Sequence, residues 1–293
     1  MKKKIILITG SSGFIGNLFL KSALKEGYFI LDILRAKNKK NKILNNLRKK
    51  FPNTYNSIFF KDYRELKKKL LNKKFDYFIN FATLYKNNHY HEEIPQFIES
   101  NITFPTILLD IIGPKIKKII NFGTMMQHVN SKNYVSKNFY ASTKSAFEII
   151  QDYFANQNNN LKFYNLKFYE SFDESDTRRK LIPTLLRNFK KNKKTDIISK
   201  KLELNLIHSQ DIINAIYILL KNNFKCGTYC LINKKNVKIK KLISNINKKT
   251  KKKLKIKYLN TKITKLKKTN FKILPKWKCD KNIEKKILNK FYD

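Results

Sequence analysis

Short apolar segments alternate with amphipathic segments along the first 170 residues. The run Ile5–Thr9 is uncharged and rich in β-branched residues, which is typical of a strand buried on both faces of a parallel sheet. Further apolar runs predict strands at 28–34, 57–60, 75–81, 116–122 and 161–168. Apolar residues with helical spacing predict helices at 17–25, 63–71, 97–112 and 140–156. This alternation predicts an α/β protein with a parallel, doubly wound sheet.

A glycine-rich turn follows the first predicted strand and holds three of the seven glycines in the chain. Without Cβ atoms, the turn lets backbone N–H groups and the next helix N-terminus approach a diphosphate, and the helix dipole favours the anion. The turn therefore predicts a nucleotide-binding loop, with an ordinary tight strand-to-helix turn as the alternative. The residues predicted to contact the nucleotide here are Gly10, Ser12, Gly13, Phe14, Ile15 and Gly16.

The formal net charge of the chain is +43, and residues 212–279 contain no Asp or Glu. A basic chain often binds nucleic acid, because lysines and arginines neutralise phosphates. Here lysine is accompanied by abundant Asn, Ile, Phe and Tyr, which are encoded by A/T-rich codons, so genomic base composition accounts for much of the charge. We therefore expect no nucleic-acid partner. A positive C-terminal surface suits a phosphorylated ligand equally well.

Cysteine spacing and hydropathy narrow the class of protein further. Cys226, Cys230 and Cys279 have no metal-ligand spacing with the four histidines, so we expect reduced structural thiols and no metal site. The N-terminal apolar run is shorter than the roughly 7–15 residues of a signal-peptide core. No run reaches the ~20 apolar residues of a membrane span. These features favour a soluble, cytoplasmic protein without a membrane partner.

Tyr140 and Lys144 are the clearest candidates for acid–base chemistry. They lie four residues apart in a predicted helix and therefore share a face. An adjacent ammonium lowers the pKa of a phenol, which is otherwise a poor acid–base group at neutral pH. Thr124, after the predicted strand 116–122, can hydrogen-bond the same substrate oxygen. For an isolated pair, an aromatic anchor beside a solvated lysine is the alternative. His128 is interpreted as a surface-loop residue, with an acid or substrate contact as the alternative.

These motifs resemble those of a known family. The turn T-G-S-S-G-F-I-G at 9–16, combined with Tyr140-x-x-x-Lys144, resembles the extended short-chain dehydrogenases/reductases, which include nucleotide-sugar epimerases, dehydratases and reductases. The resemblance covers nearly the whole chain. It implies a Rossmann-type NAD(P)-binding domain at 1–170, to which 204–222 returns. It also implies a smaller C-terminal substrate-binding lobe at 171–203 and 223–293, and a homodimer.

The resemblance also implies the site residues. The catalytic residues would be Thr124, Tyr140 and Lys144. Beyond the glycine-rich turn, the cofactor would contact Arg35, Lys37, Asp62, Tyr63, Phe81, Ala82, Tyr140 and Lys144. The substrate would contact Thr124, Met125, Arg178 and Arg179. For Arg178 and Arg179, solvated surface charge is the alternative.

Three segments carry a closer resemblance, to sugar reductases of the CDP-abequose synthase type. They are residues 121–128, 138–144 and 176–183. Family dehydratases carry an Asp-Glu pair directly after the active-site Thr, and Met125 and Met126 stand there in this chain, so dehydration is not expected. The interval from Thr124 to Tyr140 is also shorter than in many epimerases, which argues against epimerisation.

The end of the second predicted strand bears on cofactor choice. In this fold an acid there hydrogen-bonds the adenosine ribose and selects NAD, whereas a basic residue accommodates the extra phosphate of NADP. Leu34 takes the place of the acid, and Arg35 and Lys37 follow it. We therefore expect NADP(H) to be preferred, with NAD(H) possible. Asp32 is the rival selecting acid if the strand ends two residues earlier.

The function implied by the resemblance is NADP-dependent reduction of a 4-keto group on a nucleotide-activated deoxysugar. The partner would be a nucleotide-diphosphate sugar, and the product would serve a surface polysaccharide such as O-antigen. Two alternatives stay open. One is a nucleotide-sugar 4-epimerase of the same family, and the other is a non-catalytic dinucleotide-binding or RNA-binding protein.

Overall fold

The computed structural model describes residues 4–129, 133–259, 261, 272–280 and 282–292. The chain divides into two compact units. The first consists mainly of Met1–Lys167 and Ile216–Tyr229, and the second mainly of Phe168–Ala215, Cys230–Lys267 and Ile273–Asp293. We expected the segment 204–222 to return to the first domain, but the returning segment begins at Ile216. The reason is that the strand Leu206–His208 pairs with the strand Glu170–Phe172, in a small sheet of the second unit.

A seven-stranded sheet organises the first unit and confirms the predicted fold class. Numbered along the whole chain, its strands are β1 Ile5–Thr9, β2 Phe29–Arg35, β3 Tyr55–Phe60, β4 Tyr77–Asn80, β5 Lys118–Thr124, β6 Lys162–Phe168 and β11 Gly227–Cys230. Their order is β11-β6-β5-β4-β1-β2-β3, and β1 pairs in parallel with both β2 and β4. The strand order thus reverses beside β1. In open α/β sheets such a switch point is where ligands bind, at the carboxyl ends of the strands.

Ten α-helices occur in the described residues. They are α1 Phe14–Lys25, α2 Lys42–Lys50, α3 Tyr63–Leu70, α4 Ile94–Ile98, α5 Phe104–Ile112, α6 Phe139–Gln157, α7 Leu181–Lys190, α8 Ser209–Lys221, α9 Ile239–Lys249 and α10 Ile283–Asn289. None is both long and apolar enough to span a membrane. The short α2 was not predicted, because its segment is mostly polar; Asn41 caps it by accepting a hydrogen bond from the Leu44 backbone N–H at 3.1 Å.

The helix predicted at 97–112 is interrupted. A π-helical turn, Glu99–Thr103, separates α4 from α5. Within this turn the Asn101 side chain accepts a hydrogen bond from the Leu84 backbone N–H at 2.7 Å and donates to Thr143 Oγ1 at 2.9 Å. Single π-helical turns occur frequently at functional sites. Here the turn ties α6 to the segment that follows β4.

Each unit has its own apolar core. In the first unit, buried residues of the sheet such as Leu7 and Phe78 pack with helix residues such as Leu108 and Phe147. The second unit contains the short strands β7 Glu170–Phe172, β8 Thr195–Ile197, β9 Glu203–Leu204, β10 Leu206–His208, β12 Val237–Lys238 and β13 Ile256–Tyr258. Its core includes Leu185, Ile197, Leu242, Ile246 and Ile287.

Candidate active site

The glycine-rich turn lies tightly against the end of β4. Gly10 has a φ of +72°, and a Cβ there would lie 2.5 Å from both the Ala82 nitrogen and the Phe81 carbonyl carbon. A Cβ at Gly16 would lie 2.3 Å from the Gly10 oxygen. The Ala82 N–H also donates to Thr9 Oγ1 at 3.3 Å. Only glycine fits at positions 10 and 16, because the contacts are with backbone atoms that cannot move independently.

The N-terminus of α1 is open to an anion. Its N-cap is Gly13, which supplies no side-chain hydrogen bond, and the first turn holds no acidic residue. Ser12 and Gly13 are exposed, and Phe14 and Ile15 are half-buried. Backbone N–H groups in the first turn of a helix have no intrahelical partner, and they and the helix dipole favour a phosphate. The residues present therefore fit the diphosphate of a dinucleotide.

A row of buried polar side chains crosses the sheet beneath this turn. Thr9 Oγ1 donates to Asn80 Oδ1 at 2.7 Å, and Asn80 Nδ2 donates to Asn121 Oδ1 at 3.1 Å. Asn121 Nδ2 in turn donates to Asn165 Oδ1 at 3.1 Å. Buried polar groups are costly unless they are hydrogen-bonded, so this row stabilises the register of β1, β4, β5 and β6 relative to one another. The sequence carried a signal that we did not use: one asparagine inside each of three predicted apolar strands.

Asp32 is internal to the fold. It lies in the middle of β2, opposite Ile8, and is 0% exposed. Its Oδ2 accepts hydrogen bonds from Ser11 Oγ at 2.5 Å and from the Tyr55 hydroxyl at 2.8 Å. Its Oδ1 has no hydrogen-bond partner among the described residues. Burial is the main cause that raises the pKa of Asp32 to about 7. The Asp32 carboxyl group therefore stabilises the glycine-rich turn through its hydrogen bond with Ser11. The residue that ends β2 is Arg35.

This pKa shift gives a pH-dependent stability. The folded-state pKa of Asp32 lies above its unfolded value, so the native state binds the extra proton and the stabilisation is lost as the pH rises from about 4 to about 7. At about 1.4 kcal/mol per pKa unit, the loss amounts to a few kcal/mol. We expect Asp32→Asn to remove this loss. Thermal melts between pH 4.5 and pH 8 measure it, with Asp110→Asn at an exposed helix position as the control. If the melting temperature of Asp32→Asn depends on pH as steeply as that of the unaltered protein, Asp32 does not cause the pH dependence.

The basic residue that ends β2 has an acidic neighbour. The Arg35 guanidinium donates to Ser100 Oγ at 3.3 Å and lies 3.8 Å from Glu99 Oε1, with its side chain 38% exposed. The Tyr63 hydroxyl donates to the same Glu99 oxygen. Lys37 is exposed in a 3₁₀ turn, Ala36–Lys40. Arg35 is thus oriented by the π-helical turn while remaining accessible.

Asp62 lies at the carboxyl end of β3 and is exposed. It caps α3, with Oδ1 accepting a hydrogen bond from the Glu65 backbone N–H at 2.9 Å. Phe81, at the end of β4, is held by ring contacts to Phe19 and Phe122, with centroids 5.3 and 5.0 Å away. The predicted cofactor contacts of the first unit are therefore distributed over the carboxyl ends of β1, β2, β3 and β4.

Thr124 ends β5 and begins a 3₁₀ turn, Met125–Gln127. Its Oγ1 accepts a hydrogen bond from the Met126 N–H at 3.2 Å, and its own N–H donates to Gln127 Oε1 at 2.7 Å. Gln127 Nε2 donates to Ser145 Oγ at 3.3 Å, which joins the turn to α6 next to Lys144. Gln127 is a positioning residue that the sequence did not single out, since its role depends on a contact 18 residues away.

Tyr140 and Lys144 lie one turn apart on α6. Asn138 caps this helix by accepting a hydrogen bond from the Ala141 N–H at 3.0 Å. The Tyr140 ring is half-buried and meets Tyr85 edge-on, with centroids 4.9 Å apart. Lys144 is only 2% exposed, and burial is the main cause that lowers its pKa to about 8. Positions i and i+4 share a helix face, so the two side chains leave α6 on the same side.

Met125 and Met126 differ in accessibility. Met125, a predicted substrate contact, is fully buried, and Met126 is partly exposed. Neither side chain can transfer a proton. The turn after Thr124 therefore offers no acid–base pair in the position where family dehydratases carry one.

The interpretation of His128 as a surface residue is wrong. It is 2% exposed, its Nδ1 faces the Asn133 backbone oxygen at 3.0 Å, and its Nε2 faces Lys167 Nζ at 2.7 Å. It also lies against the ring of Tyr134. The loop that follows β5 folds inward, because Lys167 and Glu148 provide buried polar partners there.

Arg178 and Arg179 belong to the second unit. The Arg178 guanidinium binds Asp176 in a bidentate manner, at 2.9 Å to Oδ1 and 2.7 Å to Oδ2, and also donates to Ser171 Oγ at 2.8 Å. Arg179 is exposed. Because Asp176 already occupies the fork of Arg178, Arg179 is the more accessible of the two predicted substrate contacts.

One group in the second unit has the composition of a metal site, namely Asp173, Glu174 and His208. Hydrogen bonds within the protein already occupy these side chains. His208 Nε2 lies 2.8 Å from Glu174 Oε2, and Asp173 Oδ1 accepts a hydrogen bond from the Ser175 N–H at 2.8 Å. We therefore assign no metal to this group.

The fold and the candidate site define a class of protein: an α/β protein with a glycine-rich turn after β1 and a Tyr-x-x-x-Lys motif on α6. Residues 6–231 match the family described as the NAD dependent epimerase/dehydratase family. The chain belongs to this family.

Among curated relatives, the chain is similar to CDP-abequose synthases. It is 25% identical to the one from Salmonella muenchen over 84% of this chain and 81% of that protein. It is 26% identical to the one from Yersinia pseudotuberculosis over 74% of each chain.

Solved structures share the fold at lower identity. One is a UDP-N-acetylglucosamine 4-epimerase from Methanobrevibacter ruminantium M1, with a TM-score of 0.77, 19% identity, and coverage of 100% of this chain and 98% of that one. Another is a UDP-glucuronic acid 4-epimerase from Bacillus cereus in complex with UDP-glucuronic acid and NAD, with a TM-score of 0.78, 16% identity and 98% coverage of both chains.

Proposed function

We propose that this protein reduces a 4-keto group on a nucleotide-activated deoxysugar, with NADPH as the preferred reductant. The observation that carries the proposal is the joining of Thr124, through Gln127 and Ser145, to the helix that holds Tyr140 and Lys144. The similarity to CDP-abequose synthases supports the reduction, and the absence of an acid–base pair after Thr124 argues against a dehydratase.

The residues of the site have distinct roles in this proposal. The nicotinamide, when bound, supplies a hydride to the carbonyl carbon. Tyr140 donates its phenolic proton to the carbonyl oxygen, so that an alcohol forms. The Lys144 ammonium stabilises the phenolate that is left and binds the nicotinamide ribose. Thr124 orients the carbonyl oxygen, while Arg179, with Arg178, contacts the diphosphate of the substrate.

The test is the loss of nicotinamide absorbance with nucleotide-linked 4-keto-deoxyhexoses, each made in situ by a separate dehydratase. We expect one molecule of NADPH to be oxidised for each keto sugar reduced. An epimerase instead oxidises and re-reduces a stable sugar without net use of cofactor. If no keto sugar consumes NADPH, and a plain hexose nucleotide is interconverted without net cofactor change, the epimerase alternative replaces this proposal.

Preference for NADPH over NADH is the part of the proposal that rests on Arg35. A guanidinium that is accessible at the end of β2 can form a charge-assisted hydrogen bond with the 2′-phosphate of NADPH. Such bonds contribute about 1.5–3 kcal/mol, so Arg35→Ala should weaken NADPH binding about tenfold or more and leave NADH binding nearly unchanged.

Fluorescence titration with both cofactors measures this effect. Arg48→Ala is the matched control, because Arg48 also lies near β3 but its guanidinium is turned to Ser57 Oγ at 2.9 Å. It should leave both affinities unchanged. Equal binding of NADPH and NADH by the unaltered protein contradicts the assignment.

We also propose a homodimer that forms through α6 and its neighbour α5. The support is that Ile149 and Tyr153, on successive turns of α6, are 59% and 60% exposed. Apolar side chains clustered on one helix face suit an interface with a second copy. Sedimentation velocity tests the proposal: the unaltered protein should sediment as a dimer and Ile149→Glu as a monomer. If the unaltered protein sediments as a monomer, the proposal is wrong.

A further inference from the structure

A buried ion pair lies one turn beyond Lys144. Glu148 follows Lys144 on the same face of α6, and its Oε2 lies 2.6 Å from Lys167 Nζ on β6. Both side chains are only 1% exposed. The Tyr134 hydroxyl also donates to Glu148 Oε2, at 2.8 Å. Glu148 Oε1, by contrast, has no hydrogen-bond partner among the described residues.

His128 contacts the same ion pair. Its Nδ1 faces a backbone carbonyl, which can only accept, so Nδ1 carries the proton. Its Nε2 faces Lys167 Nζ at 2.7 Å, so Lys167 has two buried partners, His128 Nε2 and Glu148 Oε2. Burial is the main cause that raises the pKa of Tyr134, so its hydroxyl is neutral.

Among the described residues, the charges of Glu148 and Lys167 act on Lys144. Burial lowers its pKa most, Glu148 on α6 raises it, and Lys167 on β6 lowers it. Asp152, one turn beyond Glu148, is exposed, and its pKa is raised, first by desolvation and then by Glu148. Without Glu148, two ammonium groups would share one buried region, and this is unfavourable for the charged form of either.

Burying the Glu148–Lys167 ion pair costs free energy, and packing alone does not account for it. Burying two charges carries a desolvation penalty, and apolar residues of similar volume are often as stable or more stable. The glycine at 123 shows how closely the group is enclosed: a Cβ there would lie 2.6 Å from Glu148 Oε1 and 2.9 Å from Lys167 Cγ. The backbone of β5 thus leaves room for the carboxylate beside the end of the strand that carries Thr124.

We propose that Glu148 and Lys167 are positioning residues whose buried ion pair sets the charge on Lys144. The Glu148 carboxylate favours the protonated form of Lys144, and the Lys167 ammonium opposes it. The consequence for turnover rests on the function proposed above, whereas the effect on Lys144 does not. Opposite single changes in the pair should therefore move the titration of Lys144 in opposite directions.

The experiment is an NMR titration of the lysine side-chain nitrogens in the full chain, labelled with ¹⁵N-lysine. The Lys144 signal is assigned from its loss in Lys144→Met. We expect Glu148→Gln to lower the Lys144 midpoint by about one pH unit or more, and Lys167→Met to raise it by a similar amount. The double variant should return the midpoint towards its original value. The alkaline limb of the pH–rate profile should move in the same directions.

Lys118 supplies a matched control within the same protein. It is a buried strand lysine whose ammonium donates to the Asn222 backbone oxygen at 3.0 Å, and burial is the main cause that lowers its pKa to about 8. Its signal should not move in the Glu148 or Lys167 variants, and Lys118→Met should leave the Lys144 midpoint unchanged. Lys167→Arg keeps the charge and should also leave it unchanged.

The outcomes separate the two proposals. If the Lys144 midpoint stays in place, or moves in the same direction in both single variants, the ion pair is only structural and the inference is overturned. If the opposite shifts occur while no keto sugar is reduced, the proposed reaction fails and the inference about Lys144 stands. Should Glu148→Gln fail to fold, the comparison of Lys167→Met with Lys167→Arg decides, since only the first removes the charge.

Discussion

Tyr140→Phe is expected to abolish turnover of a keto sugar while the protein remains folded and binds its cofactor. The change removes only the proposed proton donor, and the edge-on contact with Tyr85, at 4.9 Å between centroids, is made by the ring itself. General acid catalysis typically contributes ~10²–10⁴-fold, so the rate should fall by about that factor. Single-turnover assays with NADPH and the keto sugar measure the loss. Cofactor titration and a thermal melt test whether binding and folding survive.

Tyr85→Phe is the matched control for this prediction. It removes a hydroxyl from the partner ring and leaves the contact between the two rings in place. Its turnover should stay close to that of the unaltered protein. If Tyr140→Phe keeps more than about a tenth of the original rate, another group delivers the proton and the role of Tyr140 is wrong.

Gly10→Ala is expected to eliminate cofactor binding and to destabilise the first unit strongly. The added Cβ would lie 2.5 Å from backbone atoms of Phe81 and Ala82, and the backbone has a φ of +72°. Overpacking costs about 1–3 kcal/mol and a left-handed residue other than glycine about 1–2 kcal/mol, so we expect a loss of about 3 kcal/mol or more in the free energy of unfolding. Chemical denaturation and NADPH titration measure the two effects.

Gly27→Ala separates the steric effect from the conformational one. Gly27 has nearly the same φ, +75°, but a Cβ there would meet nothing within 4 Å. It should lose only about 1–2 kcal/mol, the cost of the left-handed conformation, and should keep cofactor binding. If the two variants are equally stable and bind NADPH equally well, the close approach of the turn to β4 is not what requires Gly10.

The hydrophobic pattern located the strands well, and its errors have local causes. The strand predicted at 116–122 extends through Gly123 and Thr124, because the Gln127 side chain hydrogen-bonds the Thr124 N–H and continues the extended backbone into the turn. The helix predicted at 97–112 contains a π-helical turn, because Asn101 hydrogen-bonds to a loop 17 residues earlier in the chain. Neither hydrogen bond can be predicted from the spacing of apolar residues.

The same distinction between local pattern and tertiary contact applies to the candidate site. The sequence by itself determined the glycine-rich turn, the shared helix face of Tyr140 and Lys144, and the family, because each depends on residues that are close together in the chain. Only the tertiary structure decided that Asp32 is buried beneath Ser11, that His128 turns inward, and that Glu148 meets Lys167. These contacts join residues 19–39 positions apart. The register between strands and the side-chain directions on a packed sheet bring them together, and no local pattern encodes either.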